Sequence, residues 1–381
     1  MAMHRTRRSY LSRGFTLVEV LVGVAIGMIG LLVMFKTIAM WDSRTRASVA
    51  GGDAQVAGTL ATYALERDLK LAGMGFATAD TWDMGCAVTG FDAVLGGPIN
   101  NVRLMPVEII DNDATNTPDQ INVLYGNSPF FPLKQEFTES TGTTKKARSR
   151  NGFKRGDLIV VTNNVGGAPG TSTCSLMQVT DDTAVDNLTL GHAMGMYPDY
   201  YASAPRAARY NDAAASTAYA AGNMYSLGPV PQYNQWTVFN NDTLRVVDGL
   251  HGVTSDVAEG VVTMKAEYGI DTDNNKQITA AEWTKTPPGG TDWRNILAIR
   301  LALLLRSRNF EKPVIGPDAQ TYTAVIPPYF NGAASFVMRN VDGTPDSNVF
   351  GSPNNWRYYR YRVYERVIPI RNMIWGTTPA P

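Results

Sequence analysis

Apolar residues are spread unevenly along the chain. From Phe15 to Phe35 they run almost unbroken, FTLVEVLVGVAIGMIGLLVMF, with Glu19 as the one charge. At about 1.5 Å per residue this run makes a helix of roughly 31 Å, long enough to cross a hydrocarbon core. Val56, Leu60, Ala64 and Leu71 then keep helical spacing, and Glu66 and Lys70 stand four apart. The helix is therefore expected to continue to a stop at Gly73 and Gly75, with a bend or softened stretch at Gly51-Gly52.

Beyond residue 76 short apolar runs alternate with turn residues. Strands are expected at Val102–Ile110, Gln120–Tyr125, Asp157–Thr162, Cys174–Val179, Gln235–Phe239, Thr243–Val247, Val261–Tyr268, Arg294–Arg306 and Arg357–Ile370. In the segment WRNILAIRLALLLRS, Leu297, Ile299, Leu301, Leu303 and Leu305 occupy one alternation, and Arg294, Arg300 and Arg306 fall on the other. A helix would scatter those arginines, so the segment reads as a central strand with one face on the core. Residues 197–225 are rich in Ala and Tyr and read as an insertion, partly helical or mobile. No repeat at a fixed period is visible, so nothing supports a solenoid or a propeller.

Composition refines this picture. The 381 residues balance 34 basic against 34 acidic side chains, with 35 Gly and 21 Pro, and suggest a β-rich, loop-rich body. The first fourteen residues hold Arg5, Arg7, Arg8 and Arg13 and no acid, so without them the chain has 30 basic and 34 acidic residues. Four arginines before the apolar run, against Lys36, Arg44 and Arg46 after it, favour a cytoplasmic N-terminus with the body across the membrane. The small residue Gly14 precedes the apolar run, so cleavage after it would keep the helix, unlike an ordinary signal peptide. A carboxylate deep in a membrane helix costs on the order of 2.5–3.5 kcal/mol, so Glu19 calls for a partner or a function.

Arg13-Gly14-Phe15-Thr16-Leu17-Val18-Glu19 resembles the processing site of type IV prepilins and type II secretion pseudopilins. The resemblance implies that an inner-membrane prepilin peptidase cuts after Gly14 and methylates the new amine of Phe15. It further implies that Glu19 meets a neighbouring subunit's N-terminal amine during assembly. Leu65–Gly73, Tyr268–Asp271, Trp293–Ser307 and Arg366–Asn372 are similar to PilW-type minor pilins of type IV pili. The fold implied is α+β and type IV pilin-like: a long N-terminal helix packed on an antiparallel, sheet-rich body with insertions. Its parts would be a leader at 1–14, a transmembrane and assembly helix at 15–38, a periplasmic helical half at 39–75 and a β-rich body at 76–381. An irregular insertion is expected around 127–240.

The function implied is a minor pilin that primes or tips a type IV pilus, with other minor pilins and the major pilin as partners. It would reside in the inner membrane first and in the extracellular pilus later. Two rivals stand beside it: a J-like minor pseudopilin of type II secretion, and a calcium-dependent adhesin whose ligand site lies in 127–240.

Within the body, Asp271, Asp273, Asn275, Gln277, Thr279 and Glu282 supply oxygens at the spacing of a calcium loop, with Gln277 acting through its carbonyl. Lys276 stands where the sharp turn normally demands Gly. The loop thus reads either as a Ca2+ site or as an Asx-rich turn capped by its own side chains. The stretch from Asp111 to Asp119 lacks the terminal Glu and reads as a plain turn. Cys86 and Cys174, exposed to an oxidising compartment, read as a disulfide or as two buried thiols.

Lys145, Lys146, Arg148, Arg150, Lys154 and Arg155 form a basic cluster, read as a solvated loop or, less favoured by the acidic body, as a DNA contact. A host surface is the other candidate ligand. The histidines are His4, His192 and His251; with no HExxH, P-loop, GxGxxG or GxSxG motif, no enzyme is expected.

Overall fold

In the computed structural model, residues 16–115, 117–130, 133–163, 166–212, 219–239, 242–310, 326–346 and 352–376 are described. Gly14 and Phe15 lie outside them. Residues up to Gly52 form one compact unit, and Asp53 onward forms a second.

Helix α1 spans Leu17–Leu71, and Gly51-Gly52 fall within its helical range. Two glycines cost about 2 kcal/mol of helix propensity, a deficit that the long flanking helical stretches tolerate. In the first unit the side chains of Leu17–Asp42 are exposed. In the second, the buried stripe is Ala54, Gly58, Ala61, Leu65, Leu69 and Ala72. It is displaced from the expected stripe: Val56 and Leu60 point outward, because small residues at 54, 58 and 61 let the helix approach the body closely. The Lys70 ammonium lies 2.5 Å from Glu66. The helix ends at Leu71, and Gly73 and Gly75 follow with φ of 81° and 96°, conformations that favour glycine.

The body is built from β1 (Ala87–Asp92), β2 (Gly97–Arg103), β3 (Val107–Ile110), β4 (Gln120–Tyr125), β5 (Gln135–Ser140), β6 (Thr144–Ala147) and β7 (Leu158–Thr162). Next come β8 (Cys174–Gln178), β9 (Thr189–Gly191), β10 (Met196–Tyr197), β11 (Arg206–Ala207), β12 (Gly222–Gly228), β13 (Gln232–Phe239) and β14 (Thr243–Asp248). The last are β15 (Val253–Glu259), β16 (Val261–Ile270), β17 (Trp283–Thr284), β18 (Ile296–Arg306), β19 (Pro328–Tyr329), β20 (Ala334–Ser335) and β21 (Tyr361–Pro369), before the short α2 (Arg371–Gly376).

Among the described residues three main sheets result, ordered β2-β1-β8-β7-β12-β5-β6-β9, β15-β14-β13-β4-β3 and β17-β16-β18-β21. Their pairings are antiparallel except β1 with β8. The architecture is an apolar N-terminal helix followed by an antiparallel, strand-rich α+β body.

Three expectations change. Val102–Ile110 is two strands in different sheets, because Leu104-Met105-Pro106 turns the chain and a proline at 106 removes a ladder donor. Residues 127–240 are no irregular insertion: β5–β9 and β12 fill much of the largest sheet, over a separate core of Phe137, Phe153, Val161, Met177 and Met224. Within 197–225 no helix occurs among the described residues; the β10–β11 hairpin and β12 take its place.

Strand β18 is central, as its alternation predicts, but both faces are covered. Ile299, Leu301, Leu303 and Leu305 enter the main core, and Ala302 and Leu304 meet Tyr329, Phe336 and Trp356 on the other side. Arg300 escapes burial as a lone charge by pairing with Glu267. The Arg- and Tyr-rich segment before Ile370 forms β21 at the sheet edge, after a one-turn 3-10 helix at Trp356–Tyr358.

Candidate functional site

At the start of α1, Thr16 and Glu19 form a reciprocal cap. The Thr16 backbone N–H and hydroxyl both donate to Glu19 Oε2 at 2.9 Å, and the Glu19 N–H donates to Thr16 Oγ1 at 3.3 Å. The Thr-x-x-Glu spacing carries this arrangement in the sequence. The lone carboxylate of the apolar helix is thus satisfied by its own helix N-terminus. The side chains that follow, Leu17, Val18, Val20 and Leu21, are all exposed, leaving an apolar rod available to lipid or to other helices.

The loop after β16 folds around Asp271. The N–H groups of Asn275 and Lys276 donate to Asp271 Oδ1 and Oδ2, both at 3.0 Å, and Gln277 N–H donates to Asn275 Oδ1 at 2.7 Å. Lys276 takes the left-handed conformation, φ 64°, that the position demands. Oxygens of Asp271, Asp273 and Glu282 lie within 4.8 Å of one another, and these residues could hold a metal.

Glu282 is already engaged. Its two oxygens accept from the N–H and hydroxyl of Thr272 and of Thr279, at 2.8–3.0 Å. Those backbone donors, Thr279 first, hold the pKa of its carboxyl at about 2. A bidentate metal contact would require the two threonine hydroxyls to turn away, leaving the backbone bonds in place. A β strand precedes the loop and a one-turn 3-10 helix at Ala280–Glu282 closes it. Thr279 serves this closure: its hydroxyl faces Glu282, and its carbonyl accepts the Glu282 N–H at 3.2 Å. Gln277 enters the loop's bonding through its N–H on Asn275.

The second acidic stretch is organised by a cation of the chain itself. The Lys265 ammonium lies 2.6 Å from Asp113 Oδ1, 2.8 Å from Asp119 Oδ1 and 3.2 Å from the Thr117 carbonyl. Lys285 pairs with the other oxygen of Asp113. Burial opposes the charge on Lys265, yet the two aspartates outweigh it and raise its pKa. This cluster is more than a plain turn: it joins the β3–β4 connection to β16. Sequence separation hides the lysine, which stands about 150 positions from its partners.

Cys86 and Cys174 form a disulfide with Cα atoms 6.1 Å apart. It sits where β1 starts beside β8, since Val88 is the register partner of Cys174. The basic cluster is dispersed instead of pooled. Lys146 pairs with Glu139, Arg148 with Glu136 and Arg155 with Asp182, and Lys154 lies over the rings of Phe130 and Tyr200. Lys145 is fully buried on β6, its ammonium 2.9 Å from His192 Nε2. The stretch is thus partly a strand, with Lys146, Arg148 and Arg155 matched to acids. His251 meets Asp248, so the two described histidines stand apart.

Two buried carboxylates, not singled out from the sequence, tie the helix end to the sheets. Asp68 accepts from Asn234 Nδ2 at 2.7 Å, Trp236 Nε1 at 3.1 Å and the Tyr125 hydroxyl at 3.2 Å. Asp83 accepts from Ser172 Oγ, the Tyr225 hydroxyl and Asn223 Nδ2, all within 2.8 Å. In the sequence each is one acid among many, and only the long-range pairing sets them apart.

With this geometry in place, comparison with known proteins adds two matches. Residues 11–35 match the prokaryotic N-terminal methylation motif, and residues 241–372 match the family described as Type IV Pilus-assembly protein W. No curated protein and no solved structure matches the chain. The chain therefore carries the PilW signature and the class III prepilin-like signal on a pilin-like α+β fold. Both matches point to a structural pilus-associated protein, anchored through its apolar helix, and to other pilins and the pilus machinery as its contacts.

Proposed function

We propose that this protein is a minor pilin that joins other minor pilins in a complex priming or tipping a type IV pilus. The observation that carries the reading is the methylation-motif match at 11–35, running directly into an exposed apolar stretch of a helix that is 55 residues long. A prepilin peptidase cuts between Gly14 and Phe15 and methylates Phe15. The helix first spans the inner membrane with its N-terminus in the cytoplasm and the body in the periplasm, as the leader arginines favour.

Assembly then exchanges lipid for sister helices. The cap on Glu19 explains how the acid waits in the membrane, since two donors of Thr16 offset part of its desolvation. When a neighbour's ammonium approaches, the carboxylate gains a charge-assisted partner stronger than a hydroxyl. Mass spectrometry of the protein isolated from cells tests the processing step: the mature N-terminus is expected at methylated Phe15, and a chain still starting at Met1 overturns it. Glu19→Ala is expected to insert in the membrane yet fail to enter pili; normal incorporation overturns the assembly role.

We further propose that the Asp271–Glu282 loop takes Ca2+ as a structural ion. The supporting feature is the gathering of one oxygen each from Asp271, Asp273 and Glu282 within 4.8 Å of one another, in a loop that Asp271 holds through the N–H groups of residues 275 and 276. By contrast, the Asp113/Asp119 cluster already encloses Lys265. Calorimetry with CaCl2 is expected to show one site, lost in Asp271→Ala; absence of heat in the intact protein overturns the site.

A further inference from the structure

The five-stranded sheet has two unlike faces. Ile109, Ile121, Val123 and Trp236 fill the core from one side. On the other, Glu108 of β3, Asn122 of β4 and Gln235 of β13 stand in direct register, strand to strand to strand. Gln120, two residues before Asn122, joins the same face. Across from this row stand Thr89 of β1 and Asn101, Val102 and Arg103 of β2, enclosing a cleft of about 830 Å³. That volume lies within the range of small-molecule sites, about 300–1,000 Å³.

The floor of the cleft is ordered by its own bonds. Gln120 Nε2 donates to Asn122 Oδ1 at 2.7 Å, and Asn122 Nδ2 donates to Glu108 Oε2 at 3.0 Å. Arg103 stands 3.6 Å from the other Glu108 oxygen and is anchored on the Gly85 carbonyl. Asn122 is only 4% exposed although it lines the cleft, so its amide is fixed in direction. Asn101 adopts φ 65°, held by the Tyr233 hydroxyl on its carbonyl at 2.8 Å. A non-glycine residue in that region is uncommon and places its side chain on the cleft rim.

These features select one chemistry. Arg103 and Glu108 offset each other, so the cleft has no net charge with which to hold an ion. What remains are the amides of Gln120, Gln235 and Asn101 around the fixed Asn122, and an amide group both donates and accepts, as a sugar hydroxyl does. Ile110, 41% exposed, adds aliphatic surface on which the C–H face of a ring can rest. We propose that this cleft binds a neutral saccharide, with Gln120, Gln235 and Asn101 hydrogen-bonding its hydroxyl groups. The inference uses residues of the body alone and stands whether or not the protein enters a pilus.

The test uses the full chain in phospholipid nanodiscs, which avoids sugar-based detergents. Saturation-transfer NMR is recorded with glucose, galactose, N-acetylglucosamine, N-acetylgalactosamine, maltose and lactose, and with N-acetylneuraminic acid as an anionic comparison. Transfer to at least one neutral sugar is expected, weakened tenfold or more by Gln235→Ala and by Asn101→Ala. Both side chains lie at the cleft rather than in the core; should either variant melt early, Gln120→Ala is read in its place. No transfer to any neutral sugar, transfer to the anionic sugar alone, or transfer unchanged in the variants overturns the proposal. Displacement of a bound sugar by an extended Asn-rich peptide of higher affinity would likewise overturn it in favour of a peptide site.

Discussion

Tyr364 lies against Gly58: a methyl group placed on Gly58 would fall 2.3 Å from the tyrosine Cε2. The tyrosine hydroxyl reaches the Gln55 carbonyl at 3.3 Å, so one ring of β21 packs across a turn of α1. The glycine is kept in the middle of a helix, at a propensity cost of about 1 kcal/mol relative to Ala, because it makes room for that ring.

Gly58→Ala is therefore expected to destabilise the protein, with overpacking of about 1–3 kcal/mol exceeding the propensity gain. In a Tyr364→Ala background the same change should become stabilising by up to about 1 kcal/mol. A double-mutant cycle read by urea denaturation checks the reversal of sign.

Asp68→Asn removes the charge that Asn234, Trp236 and Tyr125 all face. The expected loss is about 2–4 kcal/mol, because an amide offers one accepting oxygen in place of two, and its NH2 end turns toward the Arg67 guanidinium, itself a donor on Oδ1. Denaturation midpoints measure it; a change under about 0.5 kcal/mol, the level of a surface substitution, would remove Asp68 as an anchor of the helix.

Cys86→Ser with Cys174→Ser is expected to cost up to about 4–5 kcal/mol in the chain-entropy description of a loop this long. Both sulfurs are buried. The bridge is therefore reached by reductant as the protein opens on heating, and reductant should lower the melting temperature of the wild type while leaving the double variant unchanged.

Acidification sets two buried groups against each other. Burial, helped by the Lys145 ammonium, depresses His192 to about 4, whereas burial raises Asp157 to about 6. As pH falls from about 6.5, the unfolded chain protonates its histidine before the folded protein does, so the His192 contribution is lost down to about 4. Over about pH 6 to 4 the folded protein instead protonates Asp157 before the unfolded chain does, which adds stability. Urea midpoints at pH 4.5 and 7 should therefore show His192→Gln less acid-sensitive than wild type, and Asp157→Asn more so.

The sequence is most legible where a period is long or a bond is local. The apolar run at 15–35, the alternation of Leu297–Leu305 and the Glu66/Lys70 pair all rest on spacing alone. The buried stripe of α1 escapes a reading by hydrophobic period because Ala and Gly, weak signals, form it at 54, 58 and 61. Within 127–240 the strands at Leu158–Thr162, Cys174–Gln178 and Gln232–Phe239 are legible as short apolar runs, whereas segments such as Thr144–Ala147 are hidden because they carry a buried lysine and little periodicity. In the candidate calcium loop the donor pattern is readable, but the capture of Glu282 by Thr272 and Thr279 depends on the fold. The saccharide cleft leaves no motif, since its row of polar residues meets only when three strands fall into register.

The covalent link between Cys86 and Cys174 has a mechanical consequence. Tension drawn through α1 and leaving by the C-terminus passes across the bridge, bypassing the 88 intervening steps of chain. Under load that segment contributes no slack, which shortens the reach of the unravelled protein by about 300 Å. A force-extension trace before and after reduction would show the missing length.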